Sequence, residues 1–98
     1  MAKAYWVTTY KSVSNPDALA AYAKLAGPAI QAAGGKFLIR GSPAQVWEAG
    51  MNTRTVVIEF DSLDKALSAY ESPGYKAALE ALGSSAAERD IRIIEGVD

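Results

Sequence analysis

Apolar and polar positions change rhythm several times along the chain, and each rhythm predicts an element. Residues 4–11, Ala4-Tyr5-Trp6-Val7-Thr8-Thr9-Tyr10-Lys11, are aromatic and β-branched types that suit a pleated, partly buried strand. Asn15-Pro16-Asp17 then offers an N-cap, a first-turn proline and an acid at the positive end of a helix dipole. Leu19, Tyr22, Ala23, Ala26, Ile30 and Ala33 recur at three- and four-residue spacing, which predicts a helix that packs one face on a sheet. Gly34-Gly35 follows where a left-handed terminator belongs. Gly27-Pro28, inside this helix, predicts a kink or brief break, because proline removes a backbone donor and disfavours helical geometry before it.

Lys36-Phe37-Leu38-Ile39-Arg40 reads as the second strand, closed by Gly41-Ser42-Pro43. Gln45-Val46-Trp47-Glu48 can resume it before a turn at Gly50-Met51-Asn52. Residues 54–60 alternate, with Val56, Ile58 and Phe60 on the greasier side. Ser62 caps a helix through Leu63, Ala66, Leu67 and Tyr70, and Ser72-Pro73 starts another over 73–82 that Gly83 stops. Ser84, Ser85, Glu88, Arg89 and Asp90 read as a solvated loop, and residues 91–97 as the last strand.

The order β, α, β, β, α, β is the split βαβ arrangement. The expected class is therefore α+β: a ferredoxin-like βαββαβ domain over residues 1–98, with a four-stranded antiparallel sheet and two helices on one face. Right-handed crossovers put both helices on the same side and leave the other side bare. With Val7, Phe37, Ile39, Val56, Ile58, Phe60 and Ile93 turned to the helices, alternation sends Trp6, Thr8, Tyr10, Leu38, Arg40, Val57, Glu59 and Ile94 to the bare side. That set is too apolar for solvent. A second copy laid sheet to sheet would cover it, so a homodimer through the open sheet face is expected, in the form of a dimeric α/β barrel.

Composition narrows the chemistry. Ten Lys and Arg against eleven Asp and Glu lack the basic excess of a nucleic-acid binder, so no nucleic-acid partner is expected. Charged or amide residues interrupt every apolar stretch before it reaches membrane-spanning length, and the start, Met1-Ala2-Lys3-Ala4-Tyr5, has no apolar signal core. No membrane association is expected, and a cytoplasmic location is. The chain has neither cysteine nor histidine, which removes disulfides, thiolate nucleophiles, imidazole bases and the metal sites built on those ligands. No acidic loop with calcium-site spacing appears. Neither a metal nor a cofactor is expected.

The combined segments Tyr22 with Pro28, Gly34-Gly35-Lys36-Phe37-Leu38-Ile39-Arg40-Gly41, Arg54-Thr55-Val56-Val57-Ile58-Glu59-Phe60, Tyr70-Glu71-Ser72-Pro73-Gly74-Tyr75 and Ile94-Glu95-Gly96-Val97 resemble the family labelled domain of unknown function 1330. The resemblance covers nearly the whole chain and implies membership of the dimeric α/β-barrel superfamily. Relatives there include small monooxygenases, haem-handling enzymes and lactone isomerases. The haem binders use a histidine that this chain lacks.

The candidate ligand-binding residues are Trp6, Tyr10, Tyr22, Arg40, Trp47, Arg54, Glu59 and Tyr75. Arg40 and Glu59, on paired strands, are expected to share a face, either as a structural ion pair or as cavity lining with Glu59 as a general base. Arg54 could hold a substrate carboxylate or be a solvated turn residue. Trp6, Tyr10 and Trp47 could wall a flat ligand or pack a dimer interface. Tyr22 and Tyr75 could place hydroxyls at a cavity mouth, bonding a ligand or each other. Two readings follow. In the first, a homodimer binds or weakly transforms a small, partly apolar metabolite in a cavity between its sheets. The alternative is a non-enzymatic structural or regulatory dimer with no room for a ligand. Cofactor-free oxygenase chemistry rests on the superfamily resemblance alone.

Overall fold

Trp6 organises the interior of the computed structural model. Its ring is 1% exposed, and its Nε1 donates a buried 2.9 Å hydrogen bond to the carbonyl of Ala66. Phe60 and Tyr75 crowd the indole at centroid distances of 5.5 and 5.2 Å. The structure describes residues 2–97; Met1 and Asp98, the ends of the expected domain and in Met1 the first residue of the supposed start, lie outside the described residues.

The chain runs β1 (Ala4–Val13), α1 (Pro16–Ala32), β2 (Lys36–Gly41), β3 (Thr55–Phe60), α2 (Leu63–Glu71), α3 (Pro73–Leu82) and β4 (Ala87–Glu95). The strands form one antiparallel sheet in the order β2-β3-β1-β4. This is the expected ferredoxin-like α+β fold, with the second crossover divided into two helices at Ser72-Pro73.

Local chemistry explains the boundaries. The Asn15 side chain accepts from the Ala18 amide at 3.1 Å and opens α1. Ser62 does the same for α2 through Lys65. The Ser72 hydroxyl donates to the Ala69 carbonyl at 2.8 Å and accepts from the Tyr75 amide at 3.3 Å, so one residue ends α2 and caps α3. Of the kink or brief break expected at Gly27-Pro28, no break forms, and α1 is continuous to Ala32. Proline cancels a single donor, and the bonds of the turns around it hold the helix.

Four strand expectations are corrected. In β1, Trp6, Thr8 and Tyr10 face the helices, directly opposite or in line with Val56 and Ile58 of β3, while Tyr5 and Val7 face away. Either parity of this strand offers apolar residues, and the larger burial of the rings at 6 and 10 decides between them. In β2 the register shifts between Phe37 and Ile39, so Phe37 pairs with Ile58, Ile39 with Val57 and Arg40 with Val56. This bulge moves Ile39 to the bare face and returns Arg40 to the helix face. Residues 42–54 form no strand, so Gln45–Glu48 does not resume β2. Finally, β4 begins at Ala87, and Arg89 lies within the sheet where a solvated loop was expected.

The molecule is a slab of 38 × 36 × 17 Å, one layer of helices on one sheet. The bare face carries Ile39, Val57 and Val7 side by side, with Tyr5 and Ile94 in the next row. Leu38 at the bulge, Ile39 and Ile94 are each about half exposed. No helix among the described residues is long and apolar enough to cross a membrane.

Gly35, where α1 hands over to β2, packs without space for a side chain. A Cβ there would lie 2.9 Å from Phe60 Cζ and 3.0 Å from the Ile30 carbonyl oxygen. Gly35→Ala is expected to destabilise the domain by about 1–3 kcal/mol through overpacking, read as a lower midpoint in urea unfolding. Gly27→Ala meets nothing within 4 Å and is expected to be neutral or stabilising.

Candidate functional site

Helix α1 packs along α3 and stands off the sheet, whereas α2 sits closely on it. Where α1 borders the sheet it presents the small residues Ala26 and Gly27, with the exposed Ala20 and Ala23 at the edge, and these do not fill the gap. A cavity of about 300 Å³ results. Its floor is the helix face of the sheet, and it lies within a single protomer, not between two sheets.

Strand register dictates what the floor presents. Tyr10 pairs with Arg89 of β4, and on its other side its amide donates 3.0 Å to the Arg54 carbonyl. Arg54, the residue before β3, therefore falls in one row with Tyr10 of β1 and Arg89 of β4. Arg40 joins the next row through Val56 and Thr8. All three arginines line the cavity, and among the described residues no aspartate or glutamate does. Arg40 and Arg54 are exposed at its rim, and Arg89 is half-buried.

Arg89 is held by aromatic groups. Its Nη1 donates to the Tyr22 hydroxyl at 3.0 Å, and Tyr22 and Tyr75 share a buried 2.7 Å hydroxyl contact. The guanidinium carbon lies 4.8 Å from the Tyr22 ring centroid and 5.8 Å from that of Tyr10, within cation–π range. At the rim, Arg40 stacks over Phe37 at 4.7 Å. Burial works against the charge on Arg89, but the tyrosine oxygens around it, Tyr22 first, outweigh that and hold its pKa above the ordinary value. Burial pushes the Tyr75 phenol far above its usual range, and contact with Tyr22 adds to the shift. Tyr10 is raised too, chiefly by burial, with Arg89 opposing. These tyrosines therefore serve as neutral hydrogen-bonding and ring surfaces, not as bases at neutral pH.

The sheet and helices thus gather Trp6, Tyr10, Tyr22, Arg40, Arg54 and Tyr75 around one cavity. Two sequence candidates lie elsewhere. Trp47 is 74% exposed in the 42–54 segment and does not line the cavity. Glu59 is on the bare face, where its carboxylate accepts from Lys3 Nζ at 3.3 Å and Tyr5 Oη at 3.2 Å. The expected Arg40–Glu59 pair is absent, because the β2 bulge puts the two on opposite faces. Arg89 was missed. Its signal was present in the alternation of Ala87, Arg89, Ile91 and Ile93 against Glu88, Asp90, Arg92 and Ile94, hidden by the density of polar residues.

A split βαβ sheet, bare on one face and cradling a cavity under its first helix on the other, places the protein in the ferredoxin-like dimeric α/β-barrel class. The chain belongs to the domain of unknown function family DUF1330, matched over residues 3–97. No curated protein matches it in sequence. Among solved structures it is similar to a protein of unknown function from Rhodopseudomonas palustris, with a TM-score of 0.71 and 17% identity over 99% of this chain and 84% of that one. It is also similar to SnoaB, a cofactor-independent oxygenase from Streptomyces nogalater, with a TM-score of 0.66 and 14% identity over 100% and 96% of the two chains. A nipsnap family protein of unknown function from Agrobacterium tumefaciens gives 0.55 and 19% over 96% and 87%. At these identities the likeness is one of fold.

The tyrosine cluster has a pH consequence. A phenol whose folded pKa is raised keeps its proton after the unfolded chain, at about 10, has lost it. Its stabilising effect is complete below that pH and is lost as pH rises above it, by up to about 1.4 kcal/mol per pH unit for each such group. Urea unfolding of the wild type should weaken from about pH 10 upward, and Tyr75→Phe should show a shallower decline.

Proposed function

We propose that the chain works as a cytoplasmic homodimer that binds a small, partly apolar molecule in the cavity between α1 and the helix face of the sheet. The observation that carries this reading is the cavity itself. Its volume of about 300 Å³ is at the lower end of small-molecule sites, and its walls combine aromatic rings with a few convergent polar groups. A packed domain of this size does not retain such a space without cost, since unfilled volume sacrifices dispersion contacts. The alternative of a purely structural dimer offers no reason for α1 to present small residues there.

Support for the dimer is the apolar stripe Ile39–Val57–Val7 with Tyr5 and Ile94, an uncovered sheet face on a molecule only 17 Å thick. The class of the fold supports it as well. Because Trp6 and Tyr10 lie under the helices, the interface proposed here uses the opposite parity of β1 from that expected from sequence. Oxygenase chemistry belongs to SnoaB by its description. In this chain Glu59, the proposed general base, faces away from the cavity, so binding is the reading we adopt.

Two measurements test it. Isothermal titration with the neutral aromatic 2-naphthamide should give saturable binding that Ala23→Leu, which extends a side chain into the cavity, weakens at least tenfold; absence of binding to the wild type would contradict the cavity as a ligand site. Sedimentation velocity at micromolar concentration should give a dimer that Val57→Lys converts to monomer, and a monomeric wild type would contradict the interface.

A further inference from the structure

We infer that the ligand of this cavity is an organic anion, a carboxylate or comparable acid on a one- or two-ring aromatic body, with Arg89 as the inner anchor and Arg54 and Arg40 at the rim. The inference rests on the cavity being the binding site and goes beyond it by naming the ligand's charge and shape.

The first argument is charge balance within the site. The chain has eleven acidic residues against ten basic ones, yet among the described residues the cavity collects three arginines and no carboxylate. Among the described residues none of the three has a carboxylate oxygen within 4.0 Å, while Lys3, Lys65 and Arg92 are all paired. Glu88 and Asp90, the nearest acids in sequence to Arg89, alternate to the other face of β4, and Asp90 takes both of its bonds from Arg92. The sheet thus sorts positive charge onto the cavity side of this row.

The second argument is the unused hydrogen-bonding capacity of Arg89. A guanidinium carries several N–H donors in a planar fork that matches a carboxylate. Among the described residues the Arg89 side chain gives one hydrogen bond, to Tyr22, and those of Arg40 and Arg54 give none. The rings of Tyr22 and Tyr10 help to orient the half-buried guanidinium, and the phenols of Tyr10 and Tyr75 also interact with it, but none of these neutral groups supplies a carboxylate's charge. A partly desolvated cation so arranged gains most from a charge-assisted, bidentate partner. Tyr22 is in this account a positioning residue: through its bond to Tyr75 it is fixed, and through its bond to Arg89 it fixes the fork.

The third argument is shape. Tyr10 and Phe37 in the floor and Tyr22 in the wall contribute aromatic surface, and Ala23, Ala26 and Gly27 keep the facing part of the helical wall low. A planar body is accommodated against such surfaces, with its acid group toward the row Arg54–Tyr10–Arg89.

The test compares two probes of the same shape and different charge, 2-naphthoate and 2-naphthamide, by isothermal titration at pH 7.5. The expected result is that the wild type binds naphthoate at least tenfold more tightly than naphthamide. Arg89→Gln should reduce that preference to threefold or less while leaving naphthamide affinity within about twofold. Arg54→Gln, at an exposed position, should reduce the preference without affecting the thermal unfolding midpoint, which covers the case that the Arg89 variant does not fold. Tyr22→Phe should lower naphthoate affinity and spare naphthamide. Equal affinities for the two probes in the wild type would overturn the anion inference and leave the cavity as a neutral site. A preference that survives both arginine substitutions would overturn it as well. Binding of neither probe would remove the cavity reading and the anion inference together.

Discussion

Burial of the Trp6 indole is the constraint on which the rest of this structure depends. A side chain of that size, anchored through Nε1 to the Ala66 carbonyl and enclosed by Phe60, Tyr70 and Tyr75, admits one orientation of β1 only. Strand alternation then leaves no choice for its neighbours. Thr8 and Tyr10 must face the helices with it, and Tyr5 and Val7 must face away. Because Tyr10 sits between Arg54 and Arg89 in the pairing, the parity set at Trp6 also decides that these two arginines point under α1.

The same tryptophan explains why the cavity is local. Near Trp6 the interior is filled, since α2 lies close on the sheet and Tyr75 comes in from α3. Toward the far end of β1 the cover passes to α1, which is held by α3 rather than by the sheet and offers alanine and glycine inward. Large residues at one end and small ones at the other give a core that is close-packed around Trp6 and open beneath α1. The tyrosine pair 22 and 75 marks the boundary, with one hydroxyl from each of the two packed helices.

Much of this was legible in the sequence. Asn15-Pro16-Asp17, Ser62 and Ser72-Pro73 encode their helix starts in local hydrogen bonds, so the elements and the ferredoxin-like order could be read directly. Tyr22, Arg40, Arg54 and Tyr75 could be chosen by chemistry alone. Facing was harder. In β1 both parities are apolar enough to be buried, and only the tertiary fit of an indole selects one. In β2 a single bulged residue reverses the sides of Ile39 and Arg40, and nothing in Lys36-Phe37-Leu38-Ile39-Arg40 announces it. Arg89 escaped because a strand whose outward positions are Glu88, Asp90 and Arg92 resembles a loop until its inward positions are read separately. Those three facts move Trp6, Tyr10 and Arg40 from the face expected to meet a second sheet to the face beneath the helices, and bring Arg89 beside them.

The sheet therefore separates two tasks: its bare side carries the apolar stripe proposed for association, and its helix side carries the cationic, aromatic-walled space proposed for the ligand. The most direct test of this division is a ¹⁵N–¹H correlation spectrum recorded during titration with 2-naphthoate. The account predicts the largest shift changes at the amides of Tyr10, Tyr22, Arg54 and Arg89. Changes confined instead to Tyr5, Val7, Val57 and Ile94 would place the ligand on the other side of the sheet and contradict it.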